Sequence, residues 1–172
     1  MRALEIELRS VLFTSLCSCD IFFPEYRKIV ALADNYLIDS LKLGRHRKSM
    51  FNINLGPLPG LIETVKHCRH PQIRRDAIRI LFSLSIRQGM LDSVLMARMG
   101  MWIMEVEEMG MLDGYIPESA RMRLTKVDIN ASLKNAELEG FRIEKGGERR
   151  IERTTIEWAA TNATMEIRRS LD

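Results

Sequence analysis

The sequence predicts a mainly α-helical protein, in which stacked amphipathic helices are followed by a small antiparallel β-hairpin or three-stranded piece. Three observations lead to this prediction. Apolar residues recur at helical spacing through residues 71–109, the period falls to near two after residue 121, and turn-forming residues separate the periodic segments. We expect helices near residues 2–16, 24–40, 57–68, 71–86 and 91–109, and a β piece over 121–158.

The length of 172 residues suits one ordinary domain. We expect a helical region over 1–118, a β appendage packed on it over 119–158, and a tail over 159–172. A hydrophobic fraction of 46% with 28% charged residues is typical of a folded chain, and the net charge of +3 does not argue for nucleic-acid binding. No apolar run approaches the length of a membrane span, and Glu5 and Glu7 stand where a signal peptide would be basic.

Two consecutive helices form the centre of the prediction. Pro71 suits the first turn of one helix, Asp92 or Ser93 can cap the next, and Gly110 with the Asp113-Gly114 pair ends it. Each helix has an apolar stripe that we expect to be buried: Ile73, Ala77, Ile80, Leu81 and Leu84 in the first, and Leu91, Leu95, Met99, Trp102, Val106 and Met109 in the second. The arginines of the first helix, Arg74, Arg75 and Arg79, fall mostly on its wet face.

The flanking segments follow the same rules. Residues 17–23 indicate an extended or turning link, and Pro24 can open a helix whose apolar face comprises Tyr26, Ile29, Val30, Ala33, Tyr36 and Leu37. In the β piece we expect a bulge near Thr125, a turn over 130–135, a strand over 136–143, a turn at Gly146-Gly147 and a strand over 151–158. The first helix leaves an apolar face through which we expect the isolated chain to form a homodimer or to aggregate, with Leu4, Leu8, Val11 and Leu12 in the contact.

The triplet His67, Cys68 and His70 offers ligand types that zinc prefers, but no second Cys/His pair stands at usable spacing. A buried cysteine beside helix-end histidines is the favoured interpretation. Three cysteines, Cys17, Cys19 and Cys68, suggest reduced intracellular thiols rather than a disulfide framework.

Three further groups have a functional and a structural interpretation. The carboxylates Glu105, Glu107, Glu108 and Asp113 could serve acid–base chemistry, although an acidic rim paired with Arg74, Arg75 or Arg79 fits their spacing better. The basic loop 44–49 is a nucleic-acid-binding patch or, preferably, a solvated loop. The methionines form either an adaptable groove or ordinary core: Met90, Met96, Met99, Met101, Met104, Met109 and Met111.

No phosphate loop, metalloprotease motif or serine nucleophile motif occurs in the sequence. We therefore expect no enzyme, no cofactor and no catalytic, cofactor-binding or metal-binding residues.

The central stretch resembles the C-terminal part of the regulatory region in fungal binuclear zinc-cluster transcription factors. The matching segments are CRHPQIRRDAI at 68–78, GMLDS at 89–93, WIMEVEE at 102–108 and IPESAR at 116–121. FPEYRKIV at 23–30 and FNINLG at 51–56 also resemble family segments, so that the similarity extends over roughly residues 22–143.

This resemblance implies a helical regulatory or interaction domain that works in the nucleus on transcription by RNA polymerase II. A protein partner or a small effector is then the expected ligand. The family binds DNA through six cysteines that hold two zinc ions, and three cysteines cannot form that cluster, so we expect no direct DNA binding from this chain. The alternative is a truncated or mispredicted fragment without independent activity.

Overall fold

The computed structural model describes residues 15–42, 56–84, 86–88, 91–130, 132–144 and 146–157. The chain divides into two compact units, Met1–Met101 and Trp102–Asp172. A 3₁₀ helix, Leu16–Phe22, comes before the first α-helix, and a second one, Glu118–Ala120, comes before the sheet. The helices and strands are α1 (Phe23–Lys42), α2 (Leu58–His67), α3 (Pro71–Leu84), β1 (Arg87–Gln88), β2 (Leu91–Asp92), α4 (Ser93–Glu108), β3 (Arg123–Asn130), β4 (Asn135–Ile143) and β5 (Arg149–Glu157).

The prediction of a mainly α fold is wrong, because the described residues form a mixed α/β protein. Four α-helices are followed by a sheet in the order β3-β4-β5, and β4 and β5 pair along nine residues each. The sheet lies where the β piece is expected, between residues 123 and 157, but its strands of eight, nine and nine residues are too large a share of the described residues for a mainly α fold. The predicted domain boundary at residue 118 stays a prediction.

The first unit contains α1, α2, α3 and the start of α4. Its core includes a cluster of Phe22, Tyr26, Cys68 and Ile73. The predicted link over 17–23 is instead mostly a 3₁₀ helix, because the Ser15 hydroxyl accepts a hydrogen bond from the Cys17 amide and caps its first turn. The predicted first helix, the basic loop 44–49, the segment 51–55 and the tail lie outside the described residues.

Helix α3 begins at Pro71, as predicted, and all five residues of its predicted stripe are buried. The side chain of Arg74 is also buried, with 1% of its surface exposed, so its assignment to the wet face is wrong. Ile78, one turn later, is buried as well, and the buried arc is therefore wider than the predicted stripe. On the exposed side of α3, Arg79 Nη2 lies 3.0 Å from Asp34 Oδ1 of α1 and forms an ion pair with it.

Helix α4 is capped by Asp92, whose Oδ1 accepts hydrogen bonds from the Val94 and Leu95 amides at 2.9 and 3.2 Å. Its predicted inner residues Leu95, Met99, Trp102 and Val106 are buried. Met109 is exposed, contrary to the prediction, because the helix ends at Glu108 and Met109 no longer belongs to the helical face. None of the helices that the structure describes combines the length and hydrophobicity of a membrane-spanning segment.

In the second unit, the sheet has the predicted bulge and both predicted turns. The register between β3 and β4 shifts between Leu124 and Lys126, which confirms the bulge near Thr125. Asn130 Oδ1 accepts a hydrogen bond from the Leu133 amide within the first turn, and Gly146 and Gly147 form the second turn with positive φ angles. One face of the sheet buries Ala136 and Leu138, whereas the other carries charged pairs, among them Arg153–Glu139 and Lys126–Glu137.

The close approach of α1 and α2 at Gly60 gives a test of this packing. A Cβ atom at Gly60 would lie 2.9 Å from Ile29 Cγ2. We expect Gly60→Ala to lower the free energy of unfolding by about 1–3 kcal/mol, since a branched side chain held by its helix cannot give way easily. The measurement is urea denaturation of the full chain.

Ile29→Ala supplies the control, because it removes the methyl group that the new Cβ would meet. In a double-mutant cycle the combined variant should be more stable than the sum of the single changes predicts. Additive losses would mean that the two helices do not meet at this point.

Candidate functional site

The corner between α2 and α3 joins the residues that the sequence singles out as possible metal ligands. Cys68 is the C-cap of α2, directly after His67, and its amide donates a hydrogen bond to the Thr64 carbonyl at 2.9 Å. The Cys68 carbonyl in turn accepts a hydrogen bond from Arg74 Nε at 2.5 Å. Arg69 Nη1 donates a hydrogen bond to the Lys66 carbonyl, so a second arginine also binds the backbone at this corner. The corner is held by buried guanidinium groups that bind backbone carbonyls.

Two groups of this corner, the Cys68 thiol and the His67 imidazole, are held in their uncharged forms at neutral pH by shifted pKa values. Burial raises the pKa of Cys68 to about 11, although a hydrogen bond from the backbone of His70 and the charges of Arg74 and Arg69 oppose the rise. Burial, followed by the charges on Lys66, Arg69 and Arg74, lowers the pKa of His67 to about 3. A buried neutral thiol and a very weak base do not form an activated nucleophile.

The corner continues into the core of the first unit. The Tyr26 hydroxyl is buried without a hydrogen-bond partner among the described residues, and burial followed by the neighbouring thiols Cys19 and Cys68 raises its pKa well above the usual range. Glu63 accepts a hydrogen bond from Lys66 at 2.8 Å through one oxygen, and its other oxygen lies 3.4 Å from His67 Nε2. Within the described part of the chain, no three His, Cys, Asp or Glu side chains are arranged to hold a metal ion.

A second buried polar cluster lies in the second unit. Glu107 is fully buried, and its Oε1 accepts a hydrogen bond from the Met122 amide at 2.8 Å. Arg121 is also fully buried, and its Nε donates to the Ile116 carbonyl at 2.9 Å. The assignment of Glu107 to an acidic rim is therefore wrong. Its carboxylate is buried and binds the amide of Met122, the residue directly before β3.

The other members of the predicted acidic rim are less buried than Glu107. Glu105 and Glu108 are half-buried at the end of α4, and Asp113 is exposed in the turn that follows. The predicted pairing of this rim with Arg74, Arg75 or Arg79 stays a prediction.

The methionines follow the structural interpretation where the structure describes them. Met96 and Met99 are buried in the first unit, and Met101, Met104 and Met111 are half-buried. Only Met109, among the described methionines of this stretch, is exposed, while Met90 lies outside the described residues. These side chains fill the interior more than they line an open groove.

Helical periodicity does not predict the buried roles of Arg74 and Glu107, and it does not single out Arg121. Charged residues are almost never fully buried unless they are paired, so helical periodicity alone assigns them to the surface. One signal was available for Arg74, since Ile78 follows it at the i+4 position and shares its side of the helix. No comparable local signal exists for Arg121, whose carbonyl partner depends on the turn before the sheet.

Comparison with known proteins finds no match: no family model, no curated protein and no solved structure resembles this chain significantly.

Arg74 allows a direct test of the corner. We expect Arg74→Ala to lower the free energy of unfolding by about 2–4 kcal/mol, because it leaves the buried Cys68 carbonyl without its donor and opens a cavity. Arg74→Lys should not restore stability, since an ammonium group does not reproduce the planar guanidinium. The exposed neighbour Arg75 is the matched control, and its change to alanine should shift the value by no more than about 0.5 kcal/mol. Equal losses at the two positions would contradict this account.

The neutral His67 makes stability depend on pH. Its pKa of about 3 in the folded state lies below the unperturbed value of 6.5, so the unfolded state binds more protons between these values. The resulting contribution to stability is complete above pH 6.5 and falls as the pH drops toward 3, by at most about 1.4 kcal/mol per pH unit. Urea denaturation from pH 7 to pH 4 should therefore show a flatter profile for His67→Gln than for the wild type. Parallel profiles would mean that His67 protonates equally well in both states.

Proposed function

We propose that this chain is a regulatory and interaction domain of the kind found in the C-terminal part of fungal zinc-cluster transcription factors. In this role it acts in the nucleus on transcription by RNA polymerase II. It binds a protein partner or a small effector and carries out no catalysis of its own.

One observation supports the proposal best. Two of the segments that carry the resemblance, 68–78 and 116–121, each contain a buried arginine whose Nε donates to a backbone carbonyl. Arg74 binds the carbonyl six residues before it, and Arg121 binds the carbonyl five residues before it. Residues that fix corners of the chain are what a shared scaffold requires, whereas an enzyme family would share reacting groups.

The absence of direct DNA binding is part of the same proposal. The family's zinc cluster needs six cysteines, and this sequence has three. Of these, Cys68 is a buried thiol whose raised pKa disfavours the thiolate that zinc binds. The chain would therefore reach a promoter through a partner that binds the DNA.

The test uses the full chain fused to an unrelated DNA-binding domain above a reporter gene in fungal cells. We expect the fusion to change reporter expression relative to the DNA-binding domain alone, in either direction. Arg75→Ala should behave as the wild type, and Arg74→Ala should abolish the effect by destabilising the corner. A folded nuclear fusion that leaves the reporter unchanged would contradict the proposal.

Equilibrium unfolding distinguishes the proposed domain from the alternative, a fragment without independent activity. A domain with its own core unfolds in one cooperative transition that is seen equally by circular dichroism and by tryptophan fluorescence. We expect this behaviour of the isolated chain. A gradual, probe-dependent change would favour a fragment without independent activity.

A further inference from the structure

The three-stranded sheet of the second unit has a free edge at β5. Among the described residues, β5 pairs only with β4, through nine consecutive residues without a shift of register. The other side of β5 therefore presents backbone N–H and C=O groups that no described strand uses. A further strand can pair with such an edge.

The opposite edge of the sheet, β3, is less suited to pairing. Its register with β4 shifts between Leu124 and Lys126, and a bulge bends and twists an edge away from a further strand. Strand β5 contains no bulge, no proline and no residue with a positive φ angle. The regular edge of this sheet is therefore β5.

The charges at the two ends of β5 complement each other. Arg149 begins the strand, Glu157 ends it, and both are exposed. Among the described residues neither side chain forms an ion pair, and the guanidinium carbon of Arg149 lies 4.7 Å from the centre of the Phe141 ring. A contact with an aromatic face leaves the N–H groups of a guanidinium available for a carboxylate. A strand that runs antiparallel to β5 and carries the same sequence would supply that carboxylate.

Two-fold symmetry restricts the registers in which β5 can pair with a copy of itself. Residues directly opposite each other point to the same side of a sheet, so one residue lies opposite its own copy on the axis. All nine residues pair only when Arg153 is on the axis, and Arg149 of each copy then lies opposite Glu157 of the other. An axis at Glu152 or Thr154 shortens the pairing and places no opposite charges directly across from each other.

The same register suits the exposed side chains between the two ends. The two Arg153 side chains meet at the axis, and each has its Nε 2.7 Å from Glu139 Oε2 of its own copy, so a carboxylate partly offsets their repulsion. Ile151, which is 54% exposed, lies opposite Thr155. Both are β-branched residues that suit a pleated surface, and the pairing removes part of the exposed Ile151 from water.

We propose that β5 pairs with β5 of a second copy of this chain, antiparallel and centred on Arg153. The pairing joins two three-stranded sheets into one sheet of six strands. This inference goes beyond the proposed function and does not depend on it. The surface is also different from the first helix, through which the sequence predicts self-association.

The experiment measures self-association of the full chain by sedimentation velocity across a range of concentrations. We expect a reversible dimer for the wild type. Arg149→Glu and Glu157→Arg should each weaken it at least about tenfold, because either change places like charges opposite each other at both ends of the paired strands.

The two single variants also test the register, because they complement each other. In a mixed dimer of Arg149→Glu with Glu157→Arg, both end pairs again join a carboxylate to a guanidinium. Mixing equal amounts should therefore restore the dimer to within about threefold of the wild-type affinity. The double variant Arg149→Glu/Glu157→Arg should dimerise equally well, and it provides a second test if one single variant fails to fold.

Asp128→Arg is the matched control. It makes the same change of charge as Glu157→Arg at a side chain that is 65% exposed on β3, the other edge strand. We expect it to leave the dimer affinity unchanged.

Several results would overturn the inference: a wild-type chain that stays monomeric, single variants that dimerise as tightly as the wild type, or a failure of both the mixture and the double variant to restore association. Equal weakening by Asp128→Arg would indicate pairing of β5 with β3 of a second copy. A dimer that is lost in Leu8→Ser but not in Glu157→Arg would indicate the first helix. Either result would contradict the proposed pairing.

Discussion

A guanidinium group that is removed from water needs fixed acceptors inside the protein, and Arg74 meets this requirement in part through its Nε, which donates a hydrogen bond to the Cys68 carbonyl. The bond fixes the end of α2 relative to the start of α3. Tyr26 packs in the same core cluster as Cys68, so α1 depends on that corner as well. In the second unit, Arg121 and Glu107 apply the same constraint to the chain that leads into the sheet.

These constraints explain why the motif residues offer so little chemistry. Their charges are used internally, as donors and acceptors for the backbone, and burial keeps the Cys68 thiol and the His67 imidazole uncharged. In the second unit, the guanidinium group of Arg121 also lies over the exposed ring of Tyr115, so the buried arginine that holds the preceding backbone contacts a surface side chain as well.

The sequence was informative where local chemistry decides the conformation. Proline opens α3, Asp92 caps α4, and paired glycines turn the chain between β4 and β5. It was misleading where contacts beyond the helix decide, since periodicity places Arg74 and Glu107 in water although each binds a buried backbone group outside its own helix. The positions of the strands could be predicted as well, whereas their weight in the fold class depends on pairing between segments, which a local pattern does not show.

The central claim is that buried arginines hold the corners of this fold through their Nε–H groups. Nuclear magnetic resonance tests it directly through the exchange of arginine Hε protons with water in the native protein. We expect strongly protected Hε signals for Arg74 and Arg121, lost in Arg74→Lys and in Arg121→Lys respectively, since each of these protons is hydrogen-bonded to a carbonyl away from solvent. If every arginine Hε exchanged at the rate of a solvent-exposed side chain, the account would be contradicted.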